Sequence, residues 1–142
     1  MSLLGVLNIA GSGMTAQSER LSAVASNIAN ADTSVTSTGQ PYRAREVVFQ
    51  AVSLGGDDGG GDDGASAGSE GVKVAGVVES NAPLRSVYDP SSSFADANGY
   101  VQMPNVNAVD EMVNMLSAQQ DYQADLEAFN VAKTLALRTL SI

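Results

Sequence analysis

The side chains able to do chemistry in this chain are nearly all carboxylates. Sixteen Asp and Glu stand against seven Lys and Arg, and the 142 residues contain no His and no Cys. That removes imidazole bases, thiol nucleophiles, thiolate zinc sites and disulfides. Two acidic constellations are left. Asp57, Asp58, Asp62 and Asp63 lie in GGDDGGGDDGASAGSEG, residues 55–71, and are hard oxygen ligands of the kind that hold calcium. The EF-hand spacing with its closing Glu is missing, and so is the nonapeptide calcium repeat. A run with five acids, no base and no apolar bulk has the composition of a flexible, solvated loop. Asp89 and Asp96 would serve as a carboxylate pair for acid–base work. They stand in a YDP turn and a DANG turn, where Asp is expected for its local backbone hydrogen bonds. There is no phosphate-binding Gly loop, nucleophile elbow or metal-ligand spacing. The chain reads as a non-enzyme, without cofactor or metal.

Charge and hydropathy narrow the class further. A net charge of −9 argues against binding nucleic acid or anionic lipid. The opening MSLLGVLNIAGSGM lacks the basic n-region of a signal peptide, since no Lys or Arg precedes Arg20. No stretch approaches the ~20 apolar residues of a membrane span. Export, if it occurs, is expected by a route without a cleaved signal, and the lack of Cys does not fix the compartment.

The elements must therefore be read from apolar spacing. Of the apolar residues 20 are Ala, and Trp is absent. The bulky ones gather at the two ends, which leaves the middle a thin core. At the C-terminal end, residues 107–142 contain no Gly or Pro, and Val109, Met112, Val113, Leu116, Leu126, Leu137 and Leu140 recur at helical spacing. Gln119, Gln123, Asn130 and Lys133 complete that line. A second stripe, Met115, Tyr122, Phe129 and Ala136, falls seven apart. Two apolar faces require more than one neighbour. Asn107 with Asp110 predicts the helix start. At the N-terminal end a helix is expected over 3–31, with Leu7, Met14, Leu21 and Ile28 seven apart and Leu3, Ala10, Val24 and Ala31 between them. Gln17 breaks the set, and Gly11 and Gly13 suggest a break or hinge near Ser12.

Between the helices the period shortens. Residues 33–41 form a polar loop. Strands are expected at 42–52, at 72–78 and at 84–88, with a short segment at 100–103 after the Asn98-Gly99 turn. The resulting fold class is mainly α with a small β insert. Its parts are an N-terminal helix (1–32), a loop-rich β insert (33–104) carrying the acidic loop 55–71, and a C-terminal helix (105–142), together one core domain.

Residues 12–33, SGMTAQSERLSAVASNIANADT, resemble the N-terminal signature of bacterial flagellar rod and hook proteins. Ser12-Gly13-Met14, Ala16, Arg20-Leu21 and Ser26-Asn27-Ile28-Ala29-Asn30-Ala31 carry the likeness. Residues 105–125, NVNAVDEMVNMLSAQQDYQAD, resemble the matching C-terminal signature of the same axial proteins. Gln40-Pro41-Tyr42-Arg43-Ala44, Val47-Val48-Phe49, Tyr88-Asp89-Pro90 and Ala95-Asp96-Ala97-Asn98-Gly99-Tyr100-Val101 are similar to the short proximal-rod members. The length agrees, because distal-rod and hook proteins carry much larger middle domains. The likeness covers nearly the whole chain. It departs at 55–71, longer and more charged than usual, at Gln120 where Arg is common, and at Asp125 where Asn is common.

The resemblance implies a structural subunit of the periplasmic rod of the basal body, part of the drive shaft that transmits motor torque for motility. It implies passage through the flagellar type III export apparatus and terminal helices packed coiled-coil-like in a helical tube. Implied partners are other copies of the chain, other proximal and distal rod proteins, rod-base adaptors and membrane-ring proteins. Subunit packing is assigned to Leu7, Met14, Leu21, Val24 and Ile28, and to Met112, Leu116, Tyr122, Leu126, Phe129, Leu137 and Leu140. Asn27, Asn30, Gln119, Gln123 and Asn130 are candidates for register-setting hydrogen bonds. The alternative is a type III-exported helical binding module, a cap or adaptor acting outside the rod.

Overall fold

Two long helices enclose the ends of the chain in the computed structural model, which describes residues 3–35, 39–53 and 70–140. The first, α1 (Leu3–Ala29), is a single unbroken helix. The hinge expected near Ser12 is absent. Ser12 Oγ donates to Ile9 O at 2.7 Å and Thr15 Oγ1 to Gly11 O at 3.0 Å, so the turn around the glycines is closed normally. Gly13 has a packing reason, described below. The helix stops two residues short of the expected end, with Asn30 turned back on its own last turn through Nδ2 to Ser26 O.

The second helix, α2 (Ala108–Leu140), is 33 residues long, about 50 Å at the usual rise. Its start is capped as expected. Asn107 Oδ1 accepts the Val109 amide at 3.1 Å, and Asn107 Nδ2 reaches Asp110 Oδ2 at 2.7 Å. Asp110 and Glu111 in the first turn and Arg138 in the last suit the helix dipole. The helices run antiparallel, because Gly13, Arg20 and Asn27 meet Asp125, Asp121 and Glu111 in that order.

Among the described residues the insert forms two separate hairpins. The strands β1 (Arg45–Ser53) and β2 (Glu70–Glu79) pair from Arg45–Glu79 to Ser53–Glu70. The register slips between Val48 and Phe49, which face Gly76 and Val74 and leave Ala75 as the extra residue. A lone hairpin is marginal in water, and this one lies along α1, where the Val72 amide donates to Ser12 Oγ at 3.1 Å. The first strand begins three residues later than expected, because Tyr42 is buried against α1 instead. Glu70 and Gly71, read as the end of the acidic loop, belong to β2, and Gly71 is buried. The rest of that run, with its four Asp, lies outside the described residues.

The second hairpin joins β3 (Arg85–Tyr88) and β4 (Tyr100–Met103). Its connection explains both acids once considered as a pair. Asp96 Oδ1 accepts the amides of Asn98 and Tyr100 at 2.8 and 2.9 Å, and Asp89 Oδ1 accepts Ser91 Oγ–H at 2.6 Å. Gly99 sits at φ +81°, and a Cβ there would lie 2.9 Å from the Tyr88 ring. The buried apolar core is thin: of its eight residues among those described, five are Ala.

Candidate subunit interface

The helical pair meets along a seam that is clearest on α2. Glu111, Met115, Ala118, Tyr122, Asp125, Phe129, Ala132 and Ala136 all lose exposure, and their spacing alternates four and three. That is the a/d pattern of a coiled coil. Half of it is the stripe of Met115, Tyr122, Phe129 and Ala136 read from the sequence. The other half, Glu111, Ala118, Asp125 and Ala132, carries no hydrophobic bulk. On α1 the cross-helix contacts fall at Gly13, Arg20 and Asn27. Each precedes by one residue a position assigned to packing, and Leu7, Met14, Leu21 and Ile28 are half-buried while Val24 is buried.

One polar side chain ties the three parts together. Asn27 is 1% exposed and uses its full bonding capacity. Its Nδ2 donates to Arg45 O and to Glu111 Oε2, both at 2.9 Å. Its Oδ1 accepts the Arg45 amide at 2.8 Å and the Tyr42 hydroxyl at 3.0 Å. The Tyr42 oxygen also lies 3.2 Å from Ser26 Oγ, and Asn114 Nδ2 supports Glu111 at 3.1 Å. A single carboxamide thus joins the end of α1, the start of β1 and the first turn of α2. Beside it, Asn105 works alike. Its Oδ1 accepts the Ala44 amide at 2.8 Å, and its Nδ2 reaches the carbonyls of Ser80 and Ala82.

The remaining amides differ from Asn27. Asn30 bonds within its own turn, to Ser26 O and from Thr33 Oγ1. Gln119, Gln123 and Asn130 are exposed on α2. The first apolar stripe of α2 is exposed too. Val109 is 67% exposed, Met112 57%, Leu116 56% and Leu137 59%, while Leu126 is at 40%. Within one chain, therefore, Met112, Leu116, Leu126 and Leu137 do not pack on α1, because the seam turns them away from it. The Leu140 side chain lies outside the described residues. Near the free end of the pair an apolar groove of about 690 Å³ opens between Leu3 and Val6 of α1 and Ala128, Val131 and Leu135 of α2.

Asp125 faces inward, on the covered face of α2. Its carboxylate rests on Gly13, where a Cβ would stand 2.6 Å from Oδ2. Glycine at 13 costs the helix about 1 kcal/mol in propensity and leaves room for this contact. Burial, with the neighbouring Asp121 charge second, raises the Asp125 carboxyl above the usual value. The missed participants are Tyr42, Arg45, Asn105, Glu111 and Asp125. The seven-residue recurrence of 111, 118, 125 and 132 was the one signal for the last two.

Known protein sequences match this chain from end to end. The family model described as "Flagella basal body rod protein" matches residues 7–34, most of α1 and its exit. The model described as "Flagellar basal body rod FlgEFG protein C-terminal" matches residues 97–142, which include β4 and α2. The flagellar basal-body rod protein FlgC of Salmonella typhimurium (strain LT2) is 50% identical over 142 residues, covering 100% of this chain and 98% of the relative. The FlgC protein of Escherichia coli O157:H7 gives the same figures. That of Borreliella burgdorferi is 37% identical over 153 residues with the same coverage. With both helices of the pair matched by rod models and full-length relatives at this identity, the chain belongs to the FlgC family of flagellar basal-body rod proteins, structural subunits of the rod.

Proposed function

We propose that this subunit builds the proximal part of the rod by using the two faces of α2 differently. Tyr122 and Phe129 hold α1 within the chain, with Leu7, Met14, Leu21, Val24 and Ile28 alongside. Met112, Leu116, Leu126 and Leu137 face neighbouring subunits in a helical tube. The observation that carries this reading is the exposed apolar line from Val109 to Leu137 on a helix whose opposite face is already covered. An apolar stripe of that length on a 33-residue helix marks an interaction surface. Contacts between unlike faces propagate as an open helical assembly, which suits a drive shaft.

The partners in this reading are further copies of the chain, other rod proteins, the rod-base adaptor and membrane-ring proteins. The subunit reaches the periplasm through the flagellar type III apparatus without a cleaved signal. Its work is mechanical and includes no catalysis, which fits Asp89 and Asp96 serving as turn formers. The exposed amides Gln119, Gln123 and Asn130 then set register between subunits.

The test is whether the chain co-purifies with detergent-extracted basal bodies after hook and filament are removed. Retention there is expected. Recovery instead as a soluble, folded monomer outside the basal body would overturn the reading and favour an exported helical module.

A further inference from the structure

The turn between β3 and β4 holds the one Asn-Gly pair of the sequence, Asn98-Gly99. Such a pair carries its own reaction. The glycine nitrogen, unshielded by a side chain, loses its proton and bonds to the asparagine Cγ. The side-chain nitrogen takes up that proton and leaves as ammonia, and a cyclic imide remains. Water then opens the imide at one carbonyl or the other, giving Asp or a β-linked isoaspartyl residue. The hairpin cannot escape the pair by changing its glycine, because Gly99 stands at φ +81° with the Tyr88 ring 2.9 Å from the place of a Cβ. Asn98 is exposed, so water reaches its carboxamide. Among the described residues neither strand of this hairpin packs on α1, α2 or the first hairpin, so no other helix or strand restrains the turn.

The restraint comes from Asp96. Its Oδ1 accepts the amides of Asn98 and Tyr100 at 2.8 and 2.9 Å, and its backbone oxygen accepts the Gly99 amide at 3.0 Å. The Asp96 amide in turn donates to Tyr100 O at 2.9 Å. The nitrogen that must attack is therefore a donor in a closed turn, and it has to give up that bond before it can lose its proton. The amides on either side of it are held by one carboxylate oxygen. We infer that Asp96 protects Asn98 from deamidation: its hydrogen bonds keep the turn closed, and the reaction runs only through molecules in which the turn has opened. The product would not fit the turn. An isoaspartyl linkage puts one more carbon into the main chain between Asp96 and Tyr100, which exchange two hydrogen bonds. It would also shift Tyr100 against Tyr88, whose ring centroid lies 5.3 Å away.

The experiment ages the full chain at neutral pH and follows the Asn98 peptide by mass spectrometry. Wild type, Asp96→Ala and Asp96→Asn are compared with wild type held unfolded in guanidinium. Folded wild type should lose the Asn98 amide roughly tenfold more slowly than the unfolded chain. Asp96→Ala should recover most of that difference, and its Gly99 amide should lose protection against hydrogen exchange. Asp96→Asn keeps an oxygen acceptor and drops the charge, so it should stay near wild type. The helices do not pack on this hairpin, so all three folded chains should share one circular-dichroism spectrum. The comparison of folded with unfolded wild type stands whatever Asp96→Ala does to the fold. Equal rates in those two states would overturn the inference, as would an Asp96→Ala chain that deamidates as slowly as wild type. Asp96→Asn reacting as fast as Asp96→Ala would overturn it too, by tracing the protection to charge instead of to the hydrogen bonds.

Discussion

Replacing Asn27 by Asp keeps the outline of the side chain and reverses half of its chemistry. The amide now gives two protons, to Arg45 O and Glu111 Oε2, and receives two, from the Arg45 amide and Tyr42 hydroxyl. In Asn27→Asp the donor side becomes an oxygen aimed at a carbonyl and a carboxylate. Asn27→Ala removes all four bonds and adds no repulsion. For Ala, Tyr42 keeps Ser26 and Glu111 keeps Asn114, so the main loss is the pairing of the Arg45 backbone. With each of the two orphaned groups costing roughly 1–3 kcal/mol, Asn27→Ala should cost about 2–6 kcal/mol. Asn27→Asp should cost more, since it buries a new charge beside an existing one. The assay is thermal unfolding of the full chain at fixed concentration, paired with amide exchange at Arg45 and swimming of the corresponding strains. An Asn27→Asp chain that melts above Asn27→Ala at pH 7, or a protected Arg45 amide in Asn27→Ala, would refute the account.

Four further outcomes are expected. Phe129→Ala, on the covered face, should destabilise the helical pair by about 2–3 kcal/mol. Leu126→Ala, on the open face, should leave unfolding within ~0.5 kcal/mol of wild type yet block rod formation while export continues, as a motility assay with periplasmic detection would read. Gly99→Ala should cost about 1–3 kcal/mol by forcing a left-handed residue against the Tyr88 ring, measured by denaturant unfolding. Deletion of residues 57–63 should leave assembly and swimming nearly intact, because loop closure depends only weakly on length.

The sequence exposed the helices through their spacing, and it exposed their starts through Asn107 and Asp110. Its hydrophobic pattern was a poor guide to which face met which. On α2 the more apolar line, from Val109 to Leu137, is the open one, and the covered seam alternates Tyr and Phe with Ala, Glu and Asp. A pattern search weighted by hydrophobicity cannot see a position whose qualification is small size or a specific hydrogen bond. Gly13 was misread for the same reason: its missing Cβ matters only because Asp125, 112 residues later, lies over it. Asn27 was legible as an unusual amide in a helix. Its partners were not, since Tyr42 and Arg45 come from the entry to β1 and Glu111 from α2, two segments far apart in sequence.

The alanine-lined seam sets the terms on which the subunit is rigid. Ala10, Ala16, Ala118 and Ala132 are among the most buried residues of the two helices. At ~0.8 kcal/mol per methyl, four of them contribute only about 3 kcal/mol, little against the entropy of ordering two long helices. What such a pair lacks alone it gains by mass action, since any neighbour that binds only the folded form adds RT ln(1 + [L]/Kd). Folding and incorporation then become one equilibrium. A subunit so balanced is pliant while solitary and stiffens in proportion to the company it keeps.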